Sequence, residues 1–163
     1  EELVHALREG PEKGSYLGIL ERMAIPAGLF VPYCTWNDKR YTRNCIVRTD
    51  DFELLLICYG PGQSTSIHDY STEEAWVRPV MGSVVEERFT AGPGGSLLKT
   101  SVAKLDTGSF SYLHGGPNIH RFSNDSGEPA ITLNLYARPL NKWRVYDERS
   151  GGSQWNTPDG RTA

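Results

Sequence analysis

From Thr42 onward the chain is interrupted every few residues by turn-forming residues, and the stretches between are too short for helices of ordinary length. The interruptions fall at Asp50-Asp51, Gly60-Pro61-Gly62, Gly82, Ala91-Gly92-Pro93-Gly94-Gly95, Asp106-Thr107-Gly108, Gly115-Gly116-Pro117 and Asn124 to Pro129. Between them lie runs rich in Ile, Val, Leu, Thr and aromatics, the residues that suit a pleated, half-buried surface. They predict ten strands: Arg43–Arg48, Phe52–Cys58, Thr65–His68, Ala75–Val80, Ser83–Phe89, Leu97–Leu105, Ser109–Leu113, Ile119–Ser123, Ile131–Ala137 and Trp143–Val145. Short strands at this spacing specify a mainly β protein, a sandwich or barrel. The first thirty residues differ. Leu3, Val4, Leu7 and then Tyr16, Leu17, Leu20, Met23 recur at three- and four-residue spacing, broken by Gly10-Pro11, so residues 1–30 are predicted helical and packed on the barrel. No repeat or linker divides the chain. The expected organisation is one domain over 1–163, with the barrel at 41–149 and a Gly/Ser/Thr-rich surface tail at 150–163.

Composition narrows the partners. A formal charge of -3, with 23% charged and 38% apolar residues, gives no electrostatic reason to expect nucleic acid or an anionic membrane. The longest apolar run, Leu54 to Tyr59, is far short of the roughly 20 residues of a membrane span. No basic segment followed by an apolar one opens the chain, which gives no reason to expect export. Cys34, Cys45 and Cys58 form no CxxC pair, and an odd count argues against a disulfide framework. They are expected to be small, largely buried hydrophobes in a reducing cytoplasm. The partner expected is a small molecule, bound by a monomer or small homo-oligomer.

The chemistry concentrates in two blocks. The first is Gly62-Gln63-Ser64-Thr65-Ser66-Ile67-His68-Asp69-Tyr70; the second centres on His120, after the Gly115-Gly116-Pro117 turn and before Asn124. Two neutral imidazoles from separate strands can hold one face of a first-row divalent ion and leave other positions open for substrate or dioxygen. Residues two apart on a strand share a face, so Tyr70 stands beside His68. His5 and His114 have no such context and are expected at the surface or behind the site.

These blocks resemble the two motifs of the cupin superfamily, jelly-roll β-barrels that carry a metal inside. The resemblance is closer to the cysteine dioxygenase family. It runs from about Tyr41 to Gly151 through Tyr41-Thr42-Arg43-Asn44, Leu56-Ile57-Cys58-Tyr59-Gly60-Pro61-Gly62, Ser66-Ile67-His68-Asp69, His120-Arg121-Phe122-Ser123-Asn124, Leu133-Asn134-Leu135-Tyr136 and Tyr146-Asp147-Glu148-Arg149-Ser150-Gly151. It implies a cupin-type jelly roll with a short helical N-terminal section. It further implies one non-haem Fe(II), with another first-row metal such as nickel or copper as the alternative, and oxidation of a small carboxylate-bearing thiol by O2 to a sulfinic acid. His68 and His120 take the places of two of the family's three ligand histidines. Arg43 takes that of the arginine that binds the substrate carboxylate, a role its planar, always charged fork suits. Tyr41 would line the pocket, and Tyr136 matches the tyrosine whose hydroxyl points at the reacting centre.

The departures are as specific. Tyr70 stands where the family has its second ligand histidine. Ala75 stands where animal members have a cysteine crosslinked to the tyrosine matched by Tyr136. Thr132 and Asn134 replace a serine and a histidine that join that tyrosine in a hydrogen-bond relay; Asn134 is expected to hold Tyr136 without shuttling a proton. Three readings of position 70 remain open on sequence: Tyr70 ligates as phenolate; Glu74, or water or substrate, completes the site; or the metal is lost. Against Glu74, the alignment of Gly82 places Ala75 inward, which turns Glu74 to the other face, expected as a solvated carboxylate beside Glu73. The leading function is therefore a cysteine-dioxygenase-like metalloenzyme. Its rivals are a metal-free small-molecule-binding barrel and a metalloenzyme whose chemistry has moved away from sulfur.

Overall fold

A computed structural model describes residues 1–12, 14–23, 25–70, 72, 74–115 and 118–157, without the side chain of Ala27. Gly116, Pro117, Glu73 and the end of the expected tail, 158–163, lie outside the described residues. Two short helices, α1 (Glu2–Arg8) and α2 (Leu17–Arg22), and two single 3-10 turns precede the strands. The strands are β1 (Thr42–Arg48), β2 (Phe52–Tyr59), β3 (Ile67–Tyr70), β4 (Glu74–Met81), β5 (Val84–Ala91), β6 (Leu97–Leu105), β7 (Ser111–His114), β8 (Ile119–Ser123), β9 (Ala130–Ala137), β10 (Trp143–Tyr146) and β11 (Ser153–Asn156). They form two antiparallel sheets, ordered β1-β2-β9-β4-β7 and β11-β10-β3-β8-β5-β6.

Ten of the eleven match the predicted runs to within a few residues. The exception is β11, which was expected as surface tail. It pairs with β10 from Trp143↔Asn156 to Tyr146↔Ser153, although only Asn156 of its four residues is buried. Its polar composition carries no strand signal; the backbone ladder along β10 holds it.

The central strands β2 and β9 are buried at every position, so they read as continuous apolar runs rather than alternating ones. Leu55, Ile57 and Tyr59 of β2 and Tyr136 of β9 face the space between the sheets, with Ala75, Val77 and Phe122. Their neighbours Leu54, Leu56, Leu133 and Leu135 face outward and are covered by Leu7, Tyr16, Ile19 and Leu20 of the N-terminal section. The helices therefore close the outer face of the five-stranded sheet, and their amphipathic spacing supplies the covering stripe.

Between β4 and β5 the chain turns at Gly82, where φ is +68° and an added Cβ would lie 2.8 Å from the carbonyl oxygen of Pro129. Only glycine meets both demands. A second fixed point is Asn124, fully buried at the end of β8. Its amide donates to the carbonyls of Tyr59, Gly60 and Glu128, while its side-chain oxygen accepts from the backbone N–H and hydroxyl of Ser126. Its backbone continues the stitching. Gly62 N–H donates to Asn124 O, Asn124 N–H to Gln63 O, and Thr65 N–H to Phe122 O. These bonds tie the loop that delivers β3 to the end of β8.

Removing the Asn124 amide takes a donor from the buried Tyr59 carbonyl and unties Gly60 and Glu128 from the end of β8. Asn124→Ala is expected to lower unfolding stability by about 2–4 kcal/mol, measured as a shift in urea midpoint at unchanged slope.

Candidate metal centre

β3 and β8 meet with His68 directly opposite His120. In an antiparallel pair, opposite residues project from the same face. The two imidazole rings accordingly lie 4.7 Å apart, centroid to centroid. Tyr70, two residues along β3, puts its ring 4.8 Å from His68 and 5.0 Å from His120. Asp69, between them, turns the other way and accepts a hydrogen bond from the Tyr146 hydroxyl at 2.7 Å.

Hydrogen bonds at the far side of each ring decide where the lone pairs lie. His68 Nδ1–H donates to the carbonyl of Ser66 at 2.7 Å, which leaves Nε2 as an acceptor. The Tyr70 hydroxyl fills that position, donating to His68 Nε2 at 2.7 Å, and Tyr136 donates to the Tyr70 oxygen at 3.2 Å. His120 Nδ1–H donates to Oε1 of Glu86 at 3.0 Å. Its Nε2 is buried and has no hydrogen-bond partner among the described residues.

The electrostatics are those of a dry pocket. Burial, reinforced by the neighbouring His120, holds His68 well below the usual imidazole range. Burial also lowers His120, though Glu86 pulls the other way. Both rings are therefore neutral, as metal ligation needs. Burial pushes the Tyr70 hydroxyl well above an ordinary phenol, with Tyr136 adding to the effect. Arg43 pulls the other way without overcoming this, so Tyr70 keeps its proton when no metal ion is bound.

A narrow cavity of about 20 Å³ opens beside these residues, lined by Tyr41, Arg43, His68, Tyr70, Tyr136 and Trp143 on its polar and aromatic sides and by Ile57 and Phe122 on its apolar ones. That is room for about one water molecule. His120 lies behind this lining. Arg43 is exposed at the mouth, its guanidinium 5.3 Å from the centre of the Trp143 ring. Among the described residues it takes part in no salt bridge, and no carboxylate lines the cavity.

His68, Tyr70, Tyr136, Arg43 and Tyr41 thus meet around one pocket, with His120 directly behind. Glu74 does not join them. It is buried, not solvated, on the outer face, where its carboxylate accepts from the hydroxyl of Ser15 at 2.8 Å and the backbone N–H of Tyr16 at 3.1 Å. The inward Ala75 beside it explains the orientation: Ala75 pairs with Tyr136 in register, at the place read as the missing crosslink partner. Asn134 does not hold Tyr136 either. Its amide donates to the hydroxyl and carbonyl oxygens of Thr132, at 2.9 and 3.0 Å, and the Tyr136 hydroxyl turns to Tyr70 instead. Of the cysteines only Cys58 is buried; Cys34 is partly covered and Cys45 exposed. His5 and His114 are exposed, as expected. Sequence reading missed Glu86 and Trp143. Glu86 carried no signal, because it sits beside Glu87 and Arg88 in a strand of mixed polarity. Trp143 gave none beyond its size.

No group of three His, Cys, Asp or Glu among the described residues is placed to hold a metal. The donors available here are two imidazole nitrogens and a phenol. They fit one ion: His120 Nε2 is a buried lone pair with no partner among the described residues, and His68 Nε2 presents a second one, filled by a hydroxyl that can itself ligate.

Residues 20–149 match the family described as cysteine dioxygenase type I. The chain is 31% identical to human cysteine dioxygenase type 1 over 156 residues, covering 91% of this chain and 78% of that one. Against the rat enzyme the figure is 27% over 155 residues, with the same coverage. Among solved structures, a Klebsiella pneumoniae protein with a double-stranded β-helix domain superposes with a TM-score of 0.55 at 17% identity, covering 85% of this chain and 93% of that one. A cupin superfamily protein from Desulfitobacterium hafniense gives 0.53 at 13%, covering 72% and 93%. The structural likenesses bear on the fold alone: a cupin barrel with a helical N-terminal section.

The two lowered histidines fix a pH dependence for the metal-free protein. Both titrate in the folded state below the 6.5 of a free imidazole, so below pH 6.5 the unfolded chain binds more protons and stability falls with pH. Each histidine contributes a slope of about 1.4 kcal/mol per pH unit until its folded value is reached. Thermal melts of metal-free protein between pH 7 and 5 are expected to show this decline, and His120→Gln to flatten it.

Proposed function

The chain belongs to the cysteine dioxygenase type I family, and on that premise we propose that it oxidises a small carboxylate-bearing thiol, cysteine or a close relative, with O2 to the sulfinic acid. The ion we assign is Fe(II), held by His68, His120 and Tyr70, with nickel or copper as the alternatives. The observation that carries this reading is a cavity lined by a carboxylate-matching arginine that makes no salt bridge among the described residues, with the neutral imidazole of His68 in its wall and that of His120, unpartnered among those residues, directly behind.

When bound, the ion supplies the redox capacity and open coordination positions that the side chains lack. The rest belongs to the chain. Arg43 faces the cavity from β1 with no competing carboxylate, so it takes up the substrate's carboxylate and fixes its orientation. Trp143 backs the guanidinium and keeps it at the mouth. Ile57 and Phe122 exclude water from the inner end. Tyr136 donates a hydrogen bond to the Tyr70 oxygen, which stabilises that oxygen once it carries negative charge. Tyr70 would lose its proton, to water, only with a metal ion held at its oxygen, because burial and the neighbouring Tyr136 otherwise keep the phenol neutral. Asn134, committed to Thr132, takes no part in proton movement.

A metal-free binding barrel is the second reading. It is favoured by the hydrogen bond from Tyr70 to His68, which satisfies one ligand nitrogen without an ion. Metal content separates the two: one tightly held ion per chain removes the binding barrel, and ligand-induced stabilisation of protein that holds no metal supports it.

Anaerobic protein given one equivalent of Fe(II), then cysteine and air, is expected to consume O2 and yield the sulfinic acid by mass spectrometry. No turnover across metals and a panel of small thiols would sink the proposal. Arg43→Ala is expected to raise KM about 10- to 100-fold, the loss of a charge-assisted carboxylate contact of about 1.5–3 kcal/mol. The ferric or cupric protein should show an intense visible phenolate band that Tyr70→Phe abolishes.

A further inference from the structure

Glu86 is almost fully buried, 3% exposed, on β5 beside β8, and lies outside the cavity lining. Its Oε1 accepts from His120 Nδ1–H at 3.0 Å and from the Ser111 hydroxyl at 2.8 Å; its Oε2 accepts from Arg88 at 3.2 Å. Ser111 belongs to β7 in the opposite sheet, so the carboxylate bridges the two sheets. We infer that Glu86 is a positioning residue for the metal centre: it forces His120 into the tautomer whose Nε2 is a permanent lone pair and raises the donor strength of that nitrogen. The inference rests on the reading of His120 as a ligand.

An ionised carboxylate has lone pairs and no proton to give. A ring nitrogen facing it must carry the hydrogen, and the other nitrogen of the same ring must then be bare. His120 Nε2 is that atom, buried and unpartnered. The neighbouring ligand achieves the same tautomer more cheaply, against the neutral Ser66 carbonyl. A buried carboxylate carries a large desolvation cost that a carbonyl does not, so a tautomer lock alone does not account for it. Its charge adds what a carbonyl cannot: electron density pushed through the imidazole toward a cation. His68 and His120 are therefore unequal donors. The stronger one sits behind the cavity, away from the face where substrate enters.

The amide of Glu86→Gln tests this sharply. With its NH2 toward Arg88, two donors face each other. With its NH2 toward Ser111 and His120, Arg88 keeps an acceptor and Ser111, which already accepts from Arg88 at 3.1 Å, accepts from the amide as well, but His120 Nδ1 must accept too. The proton then moves to Nε2 and the lone pair is lost. In 15N-histidine NMR of the metal-free protein, Glu86→Gln is expected to switch the His120 tautomer. By equilibrium dialysis with elemental analysis it is expected to weaken metal binding 10- to 100-fold. Should that variant not fold, Glu86→Asp keeps the charge but withdraws the carboxylate from Nδ1, and is expected to weaken metal binding by a smaller factor. Folded Glu86→Gln with wild-type metal affinity and an unchanged tautomer would overturn the inference, as would wild-type affinity in folded Glu86→Asp. Wild-type protein that holds no metal would instead remove the parent reading, while the NMR result still decides whether Glu86 sets the tautomer.

Discussion

The pairing of β3 with β8 is the constraint from which the site follows. One register places His68 opposite His120 and, because side chains alternate, puts Tyr70 on the same face and Asp69 on the other. A slip of one residue would bring Asp69 inward and send both His68 and Tyr70 away. The register is not left to the few bonds of a four-residue strand. Asn124 and the backbone bonds between 62–65 and 122–124 clamp the end of β8 to the loop entering β3, and β10 pairs with β3 on its other side from Trp143↔Tyr70 to Tyr146↔Ile67. The same β10 pairing carries Trp143 to the position beside Tyr70 from which it backs Arg43.

What was legible in the sequence was what local chemistry dictates. Glycine, proline and aspartate turns marked the strand ends, and the three-to-four spacing of Leu3, Leu7, Leu17 and Leu20 marked the helices. The meeting of His68 and His120 was legible because two histidines in recognisable blocks need only the fold to bring them together. Glu74 shows where this stopped. Its orientation followed from strand alternation, but its burial did not, because the groups that satisfy it, Ser15 and the backbone of Tyr16, lie some sixty residues away in sequence. β11 was invisible for a related reason: a polar edge strand owes its existence to its neighbour's backbone rather than its own side chains. Asn134 was misjudged because a bond to Thr132, two residues back on the same strand face, outcompeted one to Tyr136.

In the proposed site the phenol of Tyr70 sets the charge. Its ring lies about 5 Å from both histidines. A third imidazole would be a neutral donor. A phenol is neutral while metal-free and anionic when it holds a cation. With Glu86 also buried, the proposed site then sets two negative charges against the ion, and Arg43 and Arg88 lie at its margins. Such a charge balance favours a higher oxidation state than three neutral imidazoles would.

The unpartnered nitrogen of His120 argues against reading the pocket as a barrel that merely lost its metal. A buried acceptor without a donor costs about 1–3 kcal/mol, comparable to many whole-residue contributions to stability. The Tyr70 hydroxyl has one proton and spends it on His68. Tyr136 spends its own on Tyr70. Among the described residues no donor remains for His120, and Glu86 blocks a proton shift within the ring that would let Nε2 donate instead. A pocket serving only to grip a carboxylate through Arg43 needs neither the buried Glu86 nor the bare nitrogen it enforces. An ion would account for both at once, because the lone pair that is a liability in the metal-free protein would be the bond to it.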